Sequence, residues 1–195
     1  MKNSNSTIVL ASRSPRRKQL LEWAEIDFDI LVKDTNEYFP PELPVEEVPV
    51  YIAKNKAEAV RASSEFIRYE AGNAILAADT IVVLDNQVIG KPADRSEAIA
   101  ILELLSGRTH RVITGVVICK GEKVFSFSDI TEVSFHEITR EQIEFYVDHY
   151  EPYDKAGAYA IQEWIGVTGI RSIHGDFYNV MGLPVSRVVK ILNEL

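Results

Sequence analysis

The sequence predicts an α/β fold with a central sheet of mixed direction flanked by helices, and three observations lead to it. Short β-branched runs alternate with helical patterns in the first part of the chain. Extended segments separated by glycine and polar residues come later, which is typical of antiparallel strands rather than of a purely parallel sheet. No internal repeat, low-complexity tract or long linker interrupts the 195 residues, so we expect a single domain over residues 1–195.

The first strand and helix carry the clearest local signals. Residues 7–11, TIVLA, have the pattern of a short buried strand, and Ser14-Pro15 provides an N-cap followed by proline at the first helical position. A helix is therefore expected over residues 15–24. Its first turn contains the basic residues 16–18, where cations oppose the helix dipole, so their placement requires a reason.

The remaining elements follow from periodicity and turn residues. Strands are expected at 28–32, 74–78, 80–84 and 87–89, and helices at 50–66 and 94–105. Three extended segments, 112–119, 123–127 and 131–135, predict an antiparallel meander. Thr139 and Gln142 form a capping box for a helix that ends near residue 150, and Pro184 opens a last helix.

Composition and charge exclude several classes of protein. Apolar residues make up 46% and charged residues 26% of the chain, which is typical of a globular protein and excludes disordered, collagen-like and coiled-coil classes. The 21 basic and 29 acidic residues give a net charge of -8. A broad basic face for nucleic acid is therefore not expected, and an anionic ligand has to meet a local cationic pocket.

The sequence also predicts where the protein is located. Its single cysteine, Cys119, cannot form an intramolecular disulfide, and no run approaches the ~18 apolar residues of a membrane span. The start, MKNSNSTIVLAS, lacks the apolar core of a signal peptide. We therefore expect a cytoplasmic protein that binds neither nucleic acid nor membrane.

The turn at residues 12–17, SRSPRR, is the first candidate site. Backbone N–H groups at a helix N-terminus favour an anion, and guanidinium groups add paired donors for phosphate oxygens. The turn is therefore a candidate phosphate site. The alternatives are a solvated basic turn and a phosphorylation site.

Asp79 is the second candidate, because it interrupts the apolar run ILAADTIVVLD. A carboxylate there loses much of its hydration unless it is paired, bound to a metal or placed at a strand end facing a cleft. A functional role is therefore expected in preference to a structural aspartate that caps a turn. Thr80 beside it is less informative, since threonine is common in strands.

A third group contains scattered polar residues. Glu37 lies in the loop DTNEYFPPELP and could bring a second carboxylate to a hard cation, since Mg²⁺ takes one or two carboxylates plus phosphate oxygens and waters. Lys56, the turn Gly90-Lys91-Pro92 and residues 154–157, DKAG, complete the group. Taken singly, each is more simply a surface residue.

Other common sites are not indicated. The histidines at positions 110, 136, 149 and 174 have no metal-ligand spacing, and Cys119 in an apolar strand is most simply a core residue. The sequence contains no Walker A motif, GxSxG elbow or GxGxxG motif. Metal sites built on histidine or cysteine are therefore disfavoured.

Six ordered blocks together resemble the Maf family of nucleoside triphosphate pyrophosphatases. They are IVLASRSPRRKQLL, IAKNKAEAV, AADTIVVLDNQVIGKP, LLSGRTHRVITGV, EPYDKAGAYAIQ and NVMGLPVSRVV. The resemblance covers nearly the whole chain, and six blocks in order are far more specific than any one of them. The GAYxIQ block resembles the branch that hydrolyses dTTP and UTP rather than the branch acting on 7-methyl-GTP.

The resemblance implies a fold akin to the inosine triphosphatase type, with the nucleotide in a cleft between two lobes. The family's catalytic carboxylate, a proton acceptor, falls on Asp79. Its specificity-linked residues fall on Arg16, Thr80 and Gln162, and its phosphate-side and metal-side residues fall on Ser12, Arg17, Glu37, Lys56 and Lys91. Glu163-Trp164 departs from the family pattern, in which a glycine often follows the glutamine.

The interpretation that follows is an enzyme that depends on a divalent cation, Mg²⁺ or Mn²⁺. It cleaves a pyrimidine nucleoside triphosphate between the α and β phosphates and releases pyrophosphate, and Asp79 either binds the metal or activates water. Family members are often homodimers, which makes a homodimer an expectation here. The alternative is a non-enzymatic nucleotide-binding regulator, because members have been associated with septum formation in bacteria.

Overall fold

A mixed sheet of seven strands forms the centre of the fold. The structure is a computed structural model that describes residues 8–69 and 72–195. The strands are β1 (Ile8–Leu10), β2 (Phe28–Ile30), β3 (Ile75–Leu84), β4 (Gln87–Ile89), β5 (Thr109–Lys120), β6 (Lys123–Phe135) and β7 (Ile170–His174). The α-helices are α1 (Pro15–Trp23), α2 (Val48–Arg61), α3 (Arg95–Leu105), α4 (Arg140–Tyr150), α5 (Trp164–Gly169), α6 (Phe177–Met181) and α7 (Val185–Asn193). Short 3₁₀ helices lie at Ser64–Arg68, Pro152–Asp154 and Ala156–Ala158.

The strands are paired in the order β2-β1-β3-β5-β6-β7, and β4 pairs with β3. β1 lies parallel to β2 and β3, with Val9 opposite both Asp29 and Ile75. β3 and β4 are antiparallel, as are β6 and β7. The predicted sheet of mixed direction is therefore confirmed.

One compact unit comprises the described residues up to Asp79 together with Thr114–Ser128 and Gly182–Leu195. Its core packs sheet residues such as Val9 and Ile75 together with the small side chains of Ala53 and Ala57 from α2. Burial of this apolar surface favours folding by roughly 25 cal/mol per Å². Lys56 directly precedes Ala57, so packing of α2 fixes the position from which the lysine side chain leaves the helix.

The other compact unit comprises Thr80–Ile113 and Asp129–Met181. Helices α3 and α4 pack against each other within it. Leu102 and Leu105 of α3 and Ile143 and Tyr146 of α4 are buried. The single domain expected over residues 1–195 stays a prediction.

Most predicted elements are confirmed. β1 and α1 occupy the predicted strand and helix, although Thr7 lies outside the described residues. Asp85 and Asn86 have φ values of 50° and 63° and join β3 to β4, as a two-residue hairpin turn requires. The capping box of α4 is present, with Thr139 accepting from the amide of Gln142.

The predicted meander and the predicted second helix need correction. β6 runs unbroken from Lys123 to Phe135, because polar residues within a strand are compatible with a partly exposed face and do not end it. α2 ends at Arg61, five residues earlier than predicted, and the hydroxyl of Ser63 donates to the carbonyl of Val60 at 2.8 Å. Serine competes in this way with the helical hydrogen bonds at a helix end.

Two further differences concern β3 and the segment before α7. The two strands expected on either side of Asp79 are one strand, β3. The elements α5, β7 and α6 lie in the glycine-punctuated segment, whose short elements leave no long periodic pattern to predict them. Within the part of the chain that the structure describes, no helix combines the length and the apolar character needed to cross a bilayer.

Candidate active site

The middle of β3 is where an otherwise buried strand becomes accessible. Eight of its ten residues are buried, and only the two central ones, Asp79 and Thr80, are partly exposed. The side chain of Asp79 keeps 13% of its surface accessible. A carboxylate in this position reaches solvent or a ligand while both flanking segments of the strand stay in the core.

Lys56 of α2 holds two carboxylates at once. Its Nζ lies 2.7 Å from Oδ1 of Asp79 and 2.8 Å from Oε1 of Glu37. The Lys56 and Asp79 side chains are only 18% and 13% exposed, whereas Glu37 is 51% exposed. The Lys56 ammonium therefore brings together Glu37 of the loop before α2 and Asp79 of β3, which were predicted from separate sequence segments.

The turn before α1 is held together by Arg17. Its Nε donates to the carbonyl of Gly182 at 2.7 Å, and its NH1 donates to Oγ of Ser12 at 3.0 Å. Ser12 Oγ also accepts from the amide of Ser14, whose own hydroxyl caps α1 at the Arg17 amide. Both Ser12 and Arg17 are buried, so they shape the turn that carries Arg16.

Burial also changes the acid–base properties of the turn. Desolvation lowers the pKa of the Arg17 guanidinium, and the carboxylate of Asp79 acts most strongly in the opposite direction. Glu37 acts in the same direction as Asp79, and Arg16 adds to the lowering. These couplings place the predicted turn and the predicted carboxylates in one electrostatic environment.

Arg16 and Lys18 differ in their surroundings although both lie in the first turn of α1. Arg16 is half-buried, whereas Lys18 is exposed and its Nζ lies 3.7 Å from Oε1 of Glu22. The ion pair between Lys18 and Glu22 joins residues one turn apart on the helix surface. Arg16 is therefore the better placed of the two for a ligand at the helix N-terminus.

In the unit that contains Thr80, two predicted segments meet. The amide of Gly157 donates to the carbonyl of Gly90 at 3.1 Å, which ties the turn carrying Lys91 to the start of the segment carrying Gln162. Gly157 has φ of 72°, and a Cβ there would lie 2.9 Å from the side chain of Val82. Glycine is thus required at this position by both conformation and space.

Gln162 itself is exposed, whereas the residues before it are buried. Tyr159, three positions earlier, has its hydroxyl 2.7 Å from Nε2 of His110, and both rings pack edge-to-face with Phe135. Burial lowers the pKa of His110 to about 4 and raises the pKa of the Tyr159 phenol. The pair is therefore neutral at pH 7 and supports the segment without adding charge.

Comparison with known proteins identifies the family of the chain. The family model described as Maf-like protein matches residues 7–195. The chain belongs to the Maf family. The resemblance predicted from the six sequence blocks is thereby confirmed.

Similar Maf proteins come from several bacteria. A dTTP/UTP pyrophosphatase of Cytophaga hutchinsonii is 50% identical over 191 residues, covering 98% of this chain and 85% of that protein. Proteins of the same name from Bacteroides thetaiotaomicron and Parabacteroides distasonis are 43% and 46% identical, each covering 96% of this chain and 95% of the relative. Similarity of this extent spans both compact units.

Tyr146 was not singled out from the sequence as a support of the candidate site, and Lys155 was named only as part of residues 154–157. Tyr146 and Lys155 are buried and contact Glu163, the residue after Gln162. His110 was considered only as a metal ligand and dismissed. The available signal was Tyr146, which lies on the core face of the predicted helix three residues after Ile143. A buried hydroxyl needs a hydrogen-bond partner.

Proposed function

We propose that this Maf protein hydrolyses dTTP and UTP between the α and β phosphates, releasing the nucleoside monophosphate and pyrophosphate. Modified pyrimidine nucleotides are further candidate substrates, which the same hydrolysis would remove from the nucleotide pool. The names of relatives that are 43–50% identical support the proposal. The observation that carries it is the partly exposed Asp79 in the middle of a buried strand, in contact with Lys56.

Asp79 is proposed as the reacting carboxylate. Its Oδ1 contacts the Lys56 ammonium, and the accessible part of its side chain is available to a water or a metal. In one role it accepts a proton from the attacking water, and in the other it is a metal ligand. Both roles require an ionised carboxylate that neighbouring protein groups hold in place.

The turn before α1 and the side chain of Arg16 are proposed to bind the triphosphate. Backbone amides and the helix dipole at an N-terminus favour a phosphate, and a guanidinium donates two hydrogen bonds to its oxygens. Ser12 and Arg17 hold the shape of this turn. This supplies a reason for the basic first turn of α1, which is unfavourable for an isolated helix.

The residues fit a divalent cation such as Mg²⁺ or Mn²⁺. Glu37 and Asp79 contact the same ammonium, so the two carboxylates lie close to each other. Among residues 8–69 and 72–195, no group of three or more His, Cys, Asp and Glu residues could hold a metal. Two carboxylates completed by substrate phosphates and waters match the usual Mg²⁺ site. When bound, the cation would supply charge neutralisation at the phosphates.

The decisive experiment identifies the first product. Purified protein is incubated with UTP, dTTP, CTP, ATP and GTP, each with Mg²⁺, with Mn²⁺ or with a chelator, and pyrophosphate and orthophosphate are assayed separately. We expect pyrophosphate from UTP and dTTP only when a metal is present. Orthophosphate as the first product would refute the proposed cleavage site.

The non-enzymatic regulator of septum formation is not favoured by these observations. A module that only binds an anion gains nothing from a partly desolvated carboxylate beside its ligand. The cytoplasmic location, the homodimer and the absence of nucleic-acid and membrane partners stay predictions from the sequence.

A further inference from the structure

Glu163 occupies the N-cap position of α5 but does not cap the helix. Its carboxylate instead accepts a hydrogen bond from the hydroxyl of Tyr146 through Oε2, and its Oε1 lies 3.6 Å from Nζ of Lys155. Lys155 is itself buried and also contacts Asp154 at 2.7 Å. The side chain that follows Gln162 is therefore turned inward. Since it does not cap α5, its contacts with Tyr146 and Lys155 point to another role.

Tyr146 joins the two ends of the segment that carries Gln162. Its hydroxyl accepts from the amide of Ala160 at 3.2 Å while it donates to Glu163. Tyr146 is completely buried in α4, so this hydroxyl is a fixed point. One oxygen atom thus restrains the backbone two residues before Gln162 and the side chain one residue after it.

The backbone of the same segment is held by a close approach. A Cβ at Gly166 would lie 1.8 Å from the carbonyl oxygen of Ile161, so only glycine allows α5 to pack this closely. Gln162 is left exposed between Ile161 and Glu163, both of which are restrained. The arrangement fixes where the carboxamide leaves the backbone.

We propose that Glu163 is a positioning residue that sets base selectivity by holding the backbone on either side of Gln162 through Tyr146 and Lys155. The inference rests on the proposed function and on the specificity role that the family resemblance implies for Gln162, whose carboxamide would contact the base. A carboxamide donates to a carbonyl and accepts from the N3–H of uracil or thymine, and it has to flip to suit cytosine. Restraining its attachment point limits the arrangements that it can adopt, which favours one type of base.

The test measures selectivity rather than activity alone. In Glu163→Ala, we expect the ratio of kcat/KM for UTP over CTP to fall about 3-fold, mainly through a higher KM for UTP, because a lost support changes fit more than chemistry. Glu163→Gln keeps an oxygen that accepts the Tyr146 hydroxyl and is expected to recover most of the ratio. Tyr146→Phe removes only the hydroxyl and should lower the ratio in the same direction.

Glu103→Ala is the matched control, because it breaks an ion pair with Arg140 in the same unit at 2.6 Å. It should leave the ratio unchanged. Hydrogen exchange at the Ala160 amide provides a readout that needs no turnover, and we expect faster exchange in Glu163→Ala and Tyr146→Phe than in the control.

The outcomes separate the two proposals. An active protein whose Glu163→Ala and Tyr146→Phe variants keep the wild-type selectivity would overturn the positioning role and leave the pyrophosphatase intact. Unchanged exchange at Ala160 would also overturn it. A wild-type protein that releases no pyrophosphate would refute the function first, and the selectivity role with it.

Discussion

The two groups of candidate residues are stabilised by different kinds of interaction. Around Asp79, charged side chains hold one another, with Lys56 between two carboxylates and Arg17 buried in their field. Around Gln162, an exposed amide is supported by buried groups that form hydrogen bonds, and the His110 ring among them is neutral at pH 7. The first arrangement suits the binding of phosphate and metal charge, and the second suits the orientation of an uncharged base.

This difference predicts how each region responds to substitution. Removal of one member of a partly buried ion pair leaves an uncompensated charge and changes the electrostatics of every partner. Removal of an uncharged supporting group, such as the hydroxyl of Tyr146, changes positions and leaves the number of charges unchanged. Variants in the first region should therefore affect rate most, and variants in the second should affect selectivity or stability.

Asp79→Asn should have the largest effect. We expect turnover to fall by about 10² to 10⁴-fold, since loss of a general base or metal carboxylate commonly has that effect. The near-isosteric amide keeps an oxygen for Lys56, and Glu37 still pairs with the lysine ammonium, so circular dichroism and the melting temperature should stay close to wild type. Asp85→Asn, an exposed aspartate in the turn after β3, is the matched control and should keep full activity. A folded Asp79→Asn protein with near-normal turnover would rule out the assignment.

His110 tests the claim that the buried pair of His110 and Tyr159 in the second region is neutral. Burial lowers its pKa to about 4 in the folded protein, below the usual value of 6.5. As the pH falls from about 6.5 to about 4, His110 binds a proton in the unfolded chain but not in the folded chain. The free energy of unfolding should therefore fall by about 3 kcal/mol between about pH 6.5 and pH 4.

Denaturant titrations over that pH range measure the effect. His110→Gln removes the titrating group, so its stability should depend less steeply on pH. His136→Gln removes an exposed histidine and should keep the wild-type slope. Equal slopes for all three proteins would mean that the pKa of His110 is the same in the folded and unfolded states, which would contradict the lowered pKa.

Arg16→Ala should have a smaller effect than Asp79→Asn and a larger one than Lys18→Ala. We expect kcat/KM for UTP to fall by about 30-fold in Arg16→Ala, in the range of a lost charge-assisted hydrogen bond. Lys18 is exposed and paired with Glu22, so Lys18→Ala should change kcat/KM by less than about 2-fold. Steady-state kinetics at constant ionic strength makes the comparison. Equal losses of kcat/KM in the two variants would mean that the turn contributes only general positive charge and no specific phosphate contact.

The sequence indicated candidate site residues but not the groups that support them. Asp79 could be found because a carboxylate in an apolar strand is conspicuous, and Ser14-Pro15 marked the start of α1 because caps are local signals. The contact of Lys56 with both Glu37 and Asp79 joins residues that are 19 and 23 positions apart, which local patterns do not encode. Tyr146 and Lys155 are likewise ordinary in sequence and acquire their roles only through the packing of α4 and the segment before α5.

Gln162→Ala should have the smallest effect on rate and a clear effect on selectivity. In the wild type, we expect kcat/KM for UTP and dTTP to exceed that for CTP, ATP and GTP by at least ~10-fold, which needs about 1.4 kcal/mol of differential transition-state binding. A freely rotating amide can flip to suit cytosine, so the preference also needs a second polar group, for which Thr80 is the candidate.

Gln162→Ala should reduce the ratio of kcat/KM for UTP over the other nucleotides about 5-fold. The rate with UTP should stay within about 3-fold of wild type, because the charged residues that bind the phosphates are unchanged. Kinetics with all five nucleotides gives both quantities from one series. Because Asp79 and Gln162 are assigned separate tasks, an unchanged ratio in Gln162→Ala would remove the base assignment, and the cleavage chemistry would still rest on Asp79.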